Sequence, residues 1–250
     1  MIVFITGASA GFGAAMARRF SIDDNRLIIA GRRKSRLDTV AAKLGPNVHT
    51  LELDVRNREA VQQAINTLPR PYAEVDVLIN NAGLALGLEP SHRAELNDWE
   101  QMIDTNIKGL MYCTHALLPG MVARNRGHVI NIGSTAGTFP YPGGNVYGAS
   151  KAFVHQFSLN LRADLLGTAV RVTNIEPGLS SGTEFSQVRF KGDGNKAAAV
   201  YDDTQPLTAE DVAETVHWVA NRPAHVNINY ISMMPVCQAF GPLAVHRNGA

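Results

Sequence analysis

The sequence predicts an α/β fold, a doubly wound parallel sheet with helices on both faces. Two observations carry that expectation. Seven short apolar runs, rich in β-branched residues, alternate with longer stretches of helical periodicity, and glycine or asparagine recurs where the runs end. Only strands buried on both faces need to be apolar throughout, and parallel neighbours need a crossover, usually a helix. Ligands of such sheets sit beyond the carboxyl ends of the strands, so Gly7, Gly31, Asn80, Asn81, Gly83, Gly133 and Gly178 mark the expected functional pole.

The first run, "IVFIT" at 2–6, leads directly into "TGASAGFGAAMARRF". Glycines 7, 11 and 13 suit a tight turn, close approach of a pyrophosphate to the backbone and close packing of the next helix. The helix N-terminus adds unsatisfied N–H groups and a favourable dipole for an anion. In this strand, turn and helix setting a Rossmann-like dinucleotide cradle is expected; the alternative is a glycine turn kept for packing.

The second run, "RLIIAG" at 26–31, is followed by "RRKSRL", with no acid before Asp38. An acid here would suit the ribose hydroxyls of NAD, whereas an arginine pair makes charge-assisted, bidentate contacts with a 2′-phosphate. The reading is therefore NADP, with Arg32 and Arg33 as contacts and Ser9 as a helper. Its alternative is a solvated basic start to a helix. The third run, "NVHTLELDV" at 47–55, ends with Asp54 and Val55, which suit the adenine amino group and ring; Asp54 equally suits a turn or cap. In the fourth, "VDVLINNAG" at 75–83, Asn81 is either a cofactor contact or a residue that ties loops together. "MIDTNIKG" puts Asn106 in the following helix, as an anchor for water or backbone near Lys151 or as a helix-kink residue.

The fifth run, "GHVINIGS" at 127–134, ends at Ser134 on the same pole, where it either faces the crevice or caps a turn. The turn-rich "STAGTFPYPGGNVY" returns the chain to Tyr147, which opens a helix with Lys151 one turn later. A phenol has an ordinary pKa near 10, and a lysine four residues on favours its phenolate, which makes proton transfer accessible. Any Tyr/Lys pair at this spacing shares a helical face, so the spacing alone does not assign the chemistry. After the sixth run, "AVRVTNIEPG" at 169–178, residues 179–206 exceed an ordinary connection and are read as a substrate lid. Arg189 and Lys191 lie in it as candidate partners for an anionic substrate, Arg189 preferred for its planar donor fork. "LTAEDVAETVHWVA" at 207–220 reads as a packing helix with a Thr208/Asp211 capping box, before the last run, "VNINYISM" at 226–233.

A formal net charge of +1 with 18% charged residues gives no long-range attraction for nucleic acid or an anionic membrane, so neither is expected as a partner. Cys113 and Cys237 make no disulfide framework, which fits a reducing compartment. The eight histidines, His49, His92, His115, His128, His155, His217, His225 and His246, lack metal-ligand spacing, so no metal is expected. "MIVFITG" enters a strand at once, without the features of a targeting segment, and neither a repeat nor a linker divides the expected single domain of 1–250.

Together the motifs resemble those of the short-chain dehydrogenases/reductases in their single-domain form. The family's TGxxxGxG stands as Thr6-Gly7-Ala8-Ser9-Ala10-Gly11-Phe12-Gly13, its NNAG as Asn80 to Gly83, and its YxxxK as Tyr147 to Lys151. The resemblance implies that Asn106, Ser134, Tyr147 and Lys151 form a catalytic tetrad and that Pro177-Gly178 opens a segment lining the nicotinamide pocket. There the sequence departs from the family's PGxxxT: Gly182 holds the usual threonine position, Thr183 follows one residue later, and Glu176 replaces the frequent asparagine before the proline. "GLALG", "EPGLSSGTEFSQVRFKGD" and "PAHVNIN" are further similar to members that use NADP to oxidise small 3-hydroxy acids, among them L-allo-threonine and serine, and to reduce malonic semialdehyde. This closer resemblance implies a hydroxy acid or semialdehyde substrate held at Ser134, Tyr147 and Arg189, and a cytoplasmic homotetramer. A reductase of uncharged ketones or alcohols and a non-catalytic NADP-binding regulator are the alternatives.

Overall fold

The computed structural model describes residues 1–241. Seven parallel strands, β1 (Ile2–Thr6), β2 (Arg26–Gly31), β3 (Val48–Glu52), β4 (Val77–Asn80), β5 (Gly127–Ile132), β6 (Val170–Pro177) and β7 (Tyr230–Met233), form one sheet in the order β3-β2-β1-β4-β5-β6-β7. The expected doubly wound sheet is borne out. Helices α1 (Gly11–Ser21), α2 (Lys34–Ala41), α3 (Arg58–Asn66), α4 (Leu96–Ile103), α5 (Leu110–Ala123), α6 (Asn145–Asp164), α7 (Phe185–Arg189), α8 (Gly194–Ala199) and α9 (Ala209–Ala220) connect the strands or follow them. A π-helical turn, Asp104–Gly109, joins α4 to α5.

Alternate strand residues feed two cores. Ile5, Ile29 and Ile79 pack with Met16, Phe20, Val212 and Val216 of α1 and α9, while Phe4, Ile28 and Leu78 pack with Val61, Cys113, Met121 and Leu161 of α3, α5 and α6. The Thr208 capping box is present: its Oγ accepts from the Asp211 amide at 3.1 Å, and the Asp211 carboxylate accepts from the Thr208 amide at 2.8 Å.

Five strands are shorter than their apolar runs, and at β4 and β7 side chains take over the ladder. β4 stops at Asn80 because the amides of Asn81 and Ala82 turn to the Thr6 hydroxyl, at 3.0 and 2.9 Å. β3 stops at Glu52, although the Leu53 amide still donates to the Gly31 carbonyl at 3.0 Å, and beyond it the Asp54 carboxylate accepts from Arg56. β7 starts only at Tyr230 because the Asn227 side chain bridges the amide and carbonyl of Val172, at 2.8 and 3.0 Å. Among the described residues no helix is long and apolar enough to cross a membrane, and no three His, Cys, Asp or Glu side chains converge as metal ligands. His246 lies outside the described residues.

Candidate active site

The sheet order reverses between β1 and β4, since β2 and β3 extend from one side of β1 and β4 to β7 from the other. A crevice opens there at the carboxyl ends of the strands. Its floor is backbone pressed on backbone. Gly7 adopts φ +66°, and a Cβ on it would lie 2.9 Å from the Cα of Ala82; a Cβ on Gly13 would overlap the Gly7 carbonyl and lie 2.7 Å from the Asn81 amide nitrogen. Asn81 donates to the carbonyls of Thr6 and Gly7 at 2.8 and 3.2 Å, so its side chain ties the ends of β1 and β4 together. No side chain caps the N-terminus of α1, which begins at Gly11 beside the same crevice.

The crevice is a cavity of about 780 Å³, and nearly all the residues expected to bind or react line it: Gly7, Ser9, Ala10, Gly11 and Phe12 at the glycine turn, Arg32, Arg33, Asp54, Val55 and Asn81 along one side, Ser134, Tyr147 and Lys151 at its centre, Pro177, Gly178, Thr183 and Arg189 on the other. Ala8 and Asn106 do not. Ala8 is fully buried beneath the turn with its amide donating to the Ala30 carbonyl at 3.0 Å.

At the β2 end Arg33 donates to Ser9 Oγ at 3.0 Å and to Glu184 Oε2 at 2.7 Å, and Arg36 pairs with the other Glu184 oxygen. The hydrogen bond from Arg33, aided by Arg36, holds Glu184 below the ordinary glutamate range despite partial burial. Asp54 is likewise held down, chiefly by hydrogen bonds from Arg56, which engages both its oxygens.

Ser134 caps a 3₁₀ turn at Thr135–Gly137, its Oγ accepting from the Ala136 amide at 3.1 Å. Its hydroxyl donates to the Pro177 carbonyl at 3.4 Å, and Tyr147 stands at the first turn of α6, lining the same cavity. Burial pushes the Tyr147 phenol up to about 12, with the neighbouring Ser134 hydroxyl working in the other direction. Burial also pulls Lys151 down to about 8. Lys151 Nζ lies 5.8 Å from the Tyr147 ring centroid and donates to the Ile132 carbonyl at 2.8 Å. In the chain by itself, loss of water moves the two groups in opposite directions, the phenol up and the amine down.

Asn106 sits in the π-helical turn, and its amide brackets Leu84, accepting from the amide at 2.9 Å and donating to the carbonyl at 2.8 Å. It also donates to Ser150 Oγ at 3.0 Å, and Ser150 donates to the Tyr147 carbonyl at 2.7 Å. Asn106 is thus the backbone anchor of the sequence reading, joined to α6 one residue before Lys151.

Arg189, at the end of α7, donates through Nε to the Gly87 carbonyl at 3.1 Å and through Nη2 to the Tyr141 hydroxyl at 2.9 Å. These bonds hold its guanidinium carbon 5.9 Å from the Tyr147 ring centroid. Lys191, the other candidate, pairs instead with Asp98 at 2.8 Å, outside the cavity lining. Tyr141, Glu184 and Phe185, whose ring meets Tyr147 edge-on at 5.6 Å, escaped the sequence reading. Tyr141 lay inside the turn-rich stretch noted above; nothing local singles out the other two.

Comparison with known proteins places this geometry among relatives. A family profile described as short chain dehydrogenase matches residues 1–193. The NADP-dependent 3-hydroxy acid dehydrogenase YdfG of Salmonella typhi is 63% identical over 248 residues, covering 99% of this chain and 100% of that protein. Sulfoacetaldehyde reductase 2 of Chromohalobacter salexigens is 52% identical over 250 residues, covering 99% of both. Among solved structures, the closed form of serine dehydrogenase complexed with NADP⁺ matches with a TM-score of 0.98 at 60% identity, over 99% of this chain and 100% of that one.

Proposed function

The chain belongs to the short-chain dehydrogenase family, and from that premise we propose that it is an NADP-dependent oxidoreductase of small 3-hydroxy acids and the corresponding semialdehydes. One observation carries the substrate class: a guanidinium, Arg189, fixed by Gly87 and Tyr141 beside the buried Tyr147. A buried anion is costly unless paired, and a planar donor fork suits a carboxylate.

The cofactor fits the crevice. Gly7 and Gly13 leave no room for a Cβ, Ser9 to Phe12 surround the N-terminus of α1, and Arg32 and Arg33 offer the basic side chains that a 2′-phosphate requires. Asp54 and Val55 would border the adenine, and Asn81, Pro177, Gly178, Thr183, Tyr147 and Lys151 the remainder of the dinucleotide. When bound, NADP supplies a ring that accepts or gives a hydride. The protein supplies the proton. Ser134 and Tyr147 hydroxyls would hold the substrate oxygen, and Tyr147 exchanges its phenolic proton with that oxygen, giving it up in reduction and taking it in oxidation. A phenol pushed up to about 12 rests protonated, the form reduction needs. Oxidation needs the phenolate, and a cationic Lys151 beside bound substrate favours it. Asn106 positions the chain at Leu84 and, through Ser150, the start of α6.

Residues 179–206 act in this reading as a lid that carries Arg189 to the substrate, supported by the length of the segment, and the assembly is a cytoplasmic homotetramer, supported by the resemblance. A second reading, favoured by the sulfoacetaldehyde reductase relative, keeps the chemistry and exchanges the carboxylate for a sulfonate at the same distance from the aldehyde.

A substrate panel followed at the nicotinamide absorbance with both cofactors tests the proposal. The expected result is higher kcat/KM for 3-hydroxy acids than for their methyl esters, and for NADP than for NAD. Equal use of acid and ester, or an R32A/R33A variant with an unchanged cofactor ratio, refutes the respective assignment. A wild-type chain inactive on hydroxy acids, aldehydes and ketones alike leaves only a binding role.

A further inference from the structure

The arginine assigned to the 2′-phosphate already holds an anion that belongs to the chain. Glu184 follows Thr183 at the N-terminal end of α7, 151 positions away in sequence from Arg33, and reaches across the mouth of the cavity to it. Its Oε2 accepts from Arg33 Nη2 at 2.7 Å, the same nitrogen that donates to Ser9 Oγ at 3.0 Å, and its Oε1 pairs with Arg36. The nearby carboxylates have other partners: Asp38 pairs with Lys34, and Asp54 with Arg56. Glu184 is the carboxylate held by Arg33 and Arg36.

We propose that Glu184 is a specificity-determining residue that competes with the 2′-phosphate of NADP for Arg33 and so limits the preference for NADP over NAD. This rests on the reading that Arg32 and Arg33 receive that phosphate. Two anions sharing one guanidinium repel each other, and a phosphate with two negative charges meets Glu184 on Arg33 or displaces it toward Arg36. NAD brings only a hydroxyl to the same place and leaves the ion pair as it is. Glu184 also immediately precedes the short helix α7, which ends at Arg189, so the anion contest is held on the segment that carries the substrate arginine. The side chains of the pair are 43% and 34% exposed, so water moderates the repulsion and the expected effect is modest.

The test is direct binding of NADP⁺ and NAD⁺ to the full chain, by titration calorimetry, in wild type, Glu184→Gln and Arg33→Met. E184Q keeps the shape and hydrogen-bonding atoms of the side chain and removes its charge. It is expected to bind NADP⁺ about three- to tenfold tighter, with NAD⁺ within about twofold of wild type, and the gain should shrink in 1 M salt, where screening acts within about 3 Å. Equal weakening of both cofactors would mean that Glu184 only fastens the segment, and selective weakening of NADP⁺ that it aligns the arginines for the phosphate. Either result overturns the proposal, as does a gain undiminished by salt. R33M separates the two levels of the argument. If it leaves the NADP⁺/NAD⁺ affinity ratio unchanged, the phosphate assignment itself has failed and the proposal with it; if it lowers the ratio while E184Q does not raise it, the proposal alone has failed.

Discussion

Replacing Arg189 with methionine isolates the proposed carboxylate contact. The side chain keeps its length and apolar stem and loses the guanidinium. Two of the three guanidinium nitrogens have protein partners, Nε on Gly87 and Nη2 on Tyr141, and Nη1 makes no hydrogen bond among the described residues. A bound carboxylate therefore gains chiefly what Nη1 offers, about one charge-assisted hydrogen bond, worth roughly 1.5–3 kcal/mol. At the middle of that range the loss is about 45-fold in kcat/KM. The methyl ester of the same hydroxy acid is the internal control: it presents the same alcohol to Ser134 and Tyr147 without the charge, so it registers any general damage from losing the Gly87 and Tyr141 contacts. The quantity to measure is the ratio of kcat/KM for acid and ester, followed at the nicotinamide absorbance, in wild type and R189M. A ratio that stays constant would sink the argument that Arg189 selects an acid, whatever happens to the absolute rates.

Three further outcomes follow from the geometry. Lys151 is held down to about 8 against an ordinary 10.5, so the unfolded chain binds more protons than the folded one between those values and stability should rise with pH across that window. At about 1.4 kcal/mol per pH unit the gap amounts to on the order of 3 kcal/mol, so the stability advantage of K151M over wild type should be largest below pH 8 and decline toward pH 10, measured by urea unfolding; a pH-independent difference contradicts it. G13A forces a methyl group to 2.7 Å from the Asn81 amide nitrogen, a misfit of roughly 1–3 kcal/mol, and should weaken NADP⁺ binding about tenfold or more in calorimetry while the far-ultraviolet circular dichroism stays native. T208A removes a cap worth about 1 kcal/mol and should lower Tm by roughly 2–4 °C without changing kcat/KM, a pairing that a differential scan and one rate measurement can contradict.

What could be read from the sequence was what local pattern determines. Ile5, Ile29 and Ile79 declare buried strands because both sheet faces are covered, and Thr208 with Asp211 declares a helix start because its hydrogen bonds close within four residues. The tyrosine and lysine of α6 were found by spacing, but the direction of their pKa shifts was not, because burial is a property of everything packed around them. The late start of β7 depends on the side chain of Asn227 meeting Val172, 55 residues away, and the cavity wall depends on Arg189 meeting Tyr141 and on Glu184 meeting Arg33. Such partners carry no mark in their own neighbourhoods. The π-helical turn at Asn106 was hidden for a related reason: a widened turn has the same composition as the α-helix around it, and only the side chain's destination reveals it.

The bracket that Asn106 places on Leu84 has a consequence for how the site can be altered. Beyond Asn80 the chain has left the sheet, and a single carboxamide supplies the donor and acceptor that a neighbouring strand would otherwise provide. At Leu84 the wall of the crevice therefore depends on one replaceable side chain, while the strands behind it are held by a continuous ladder. Catalytic geometry and fold integrity are separately adjustable here: a change at position 106 can detune the reaction in a protein that still folds, and a change in β4 cannot do so without disturbing both.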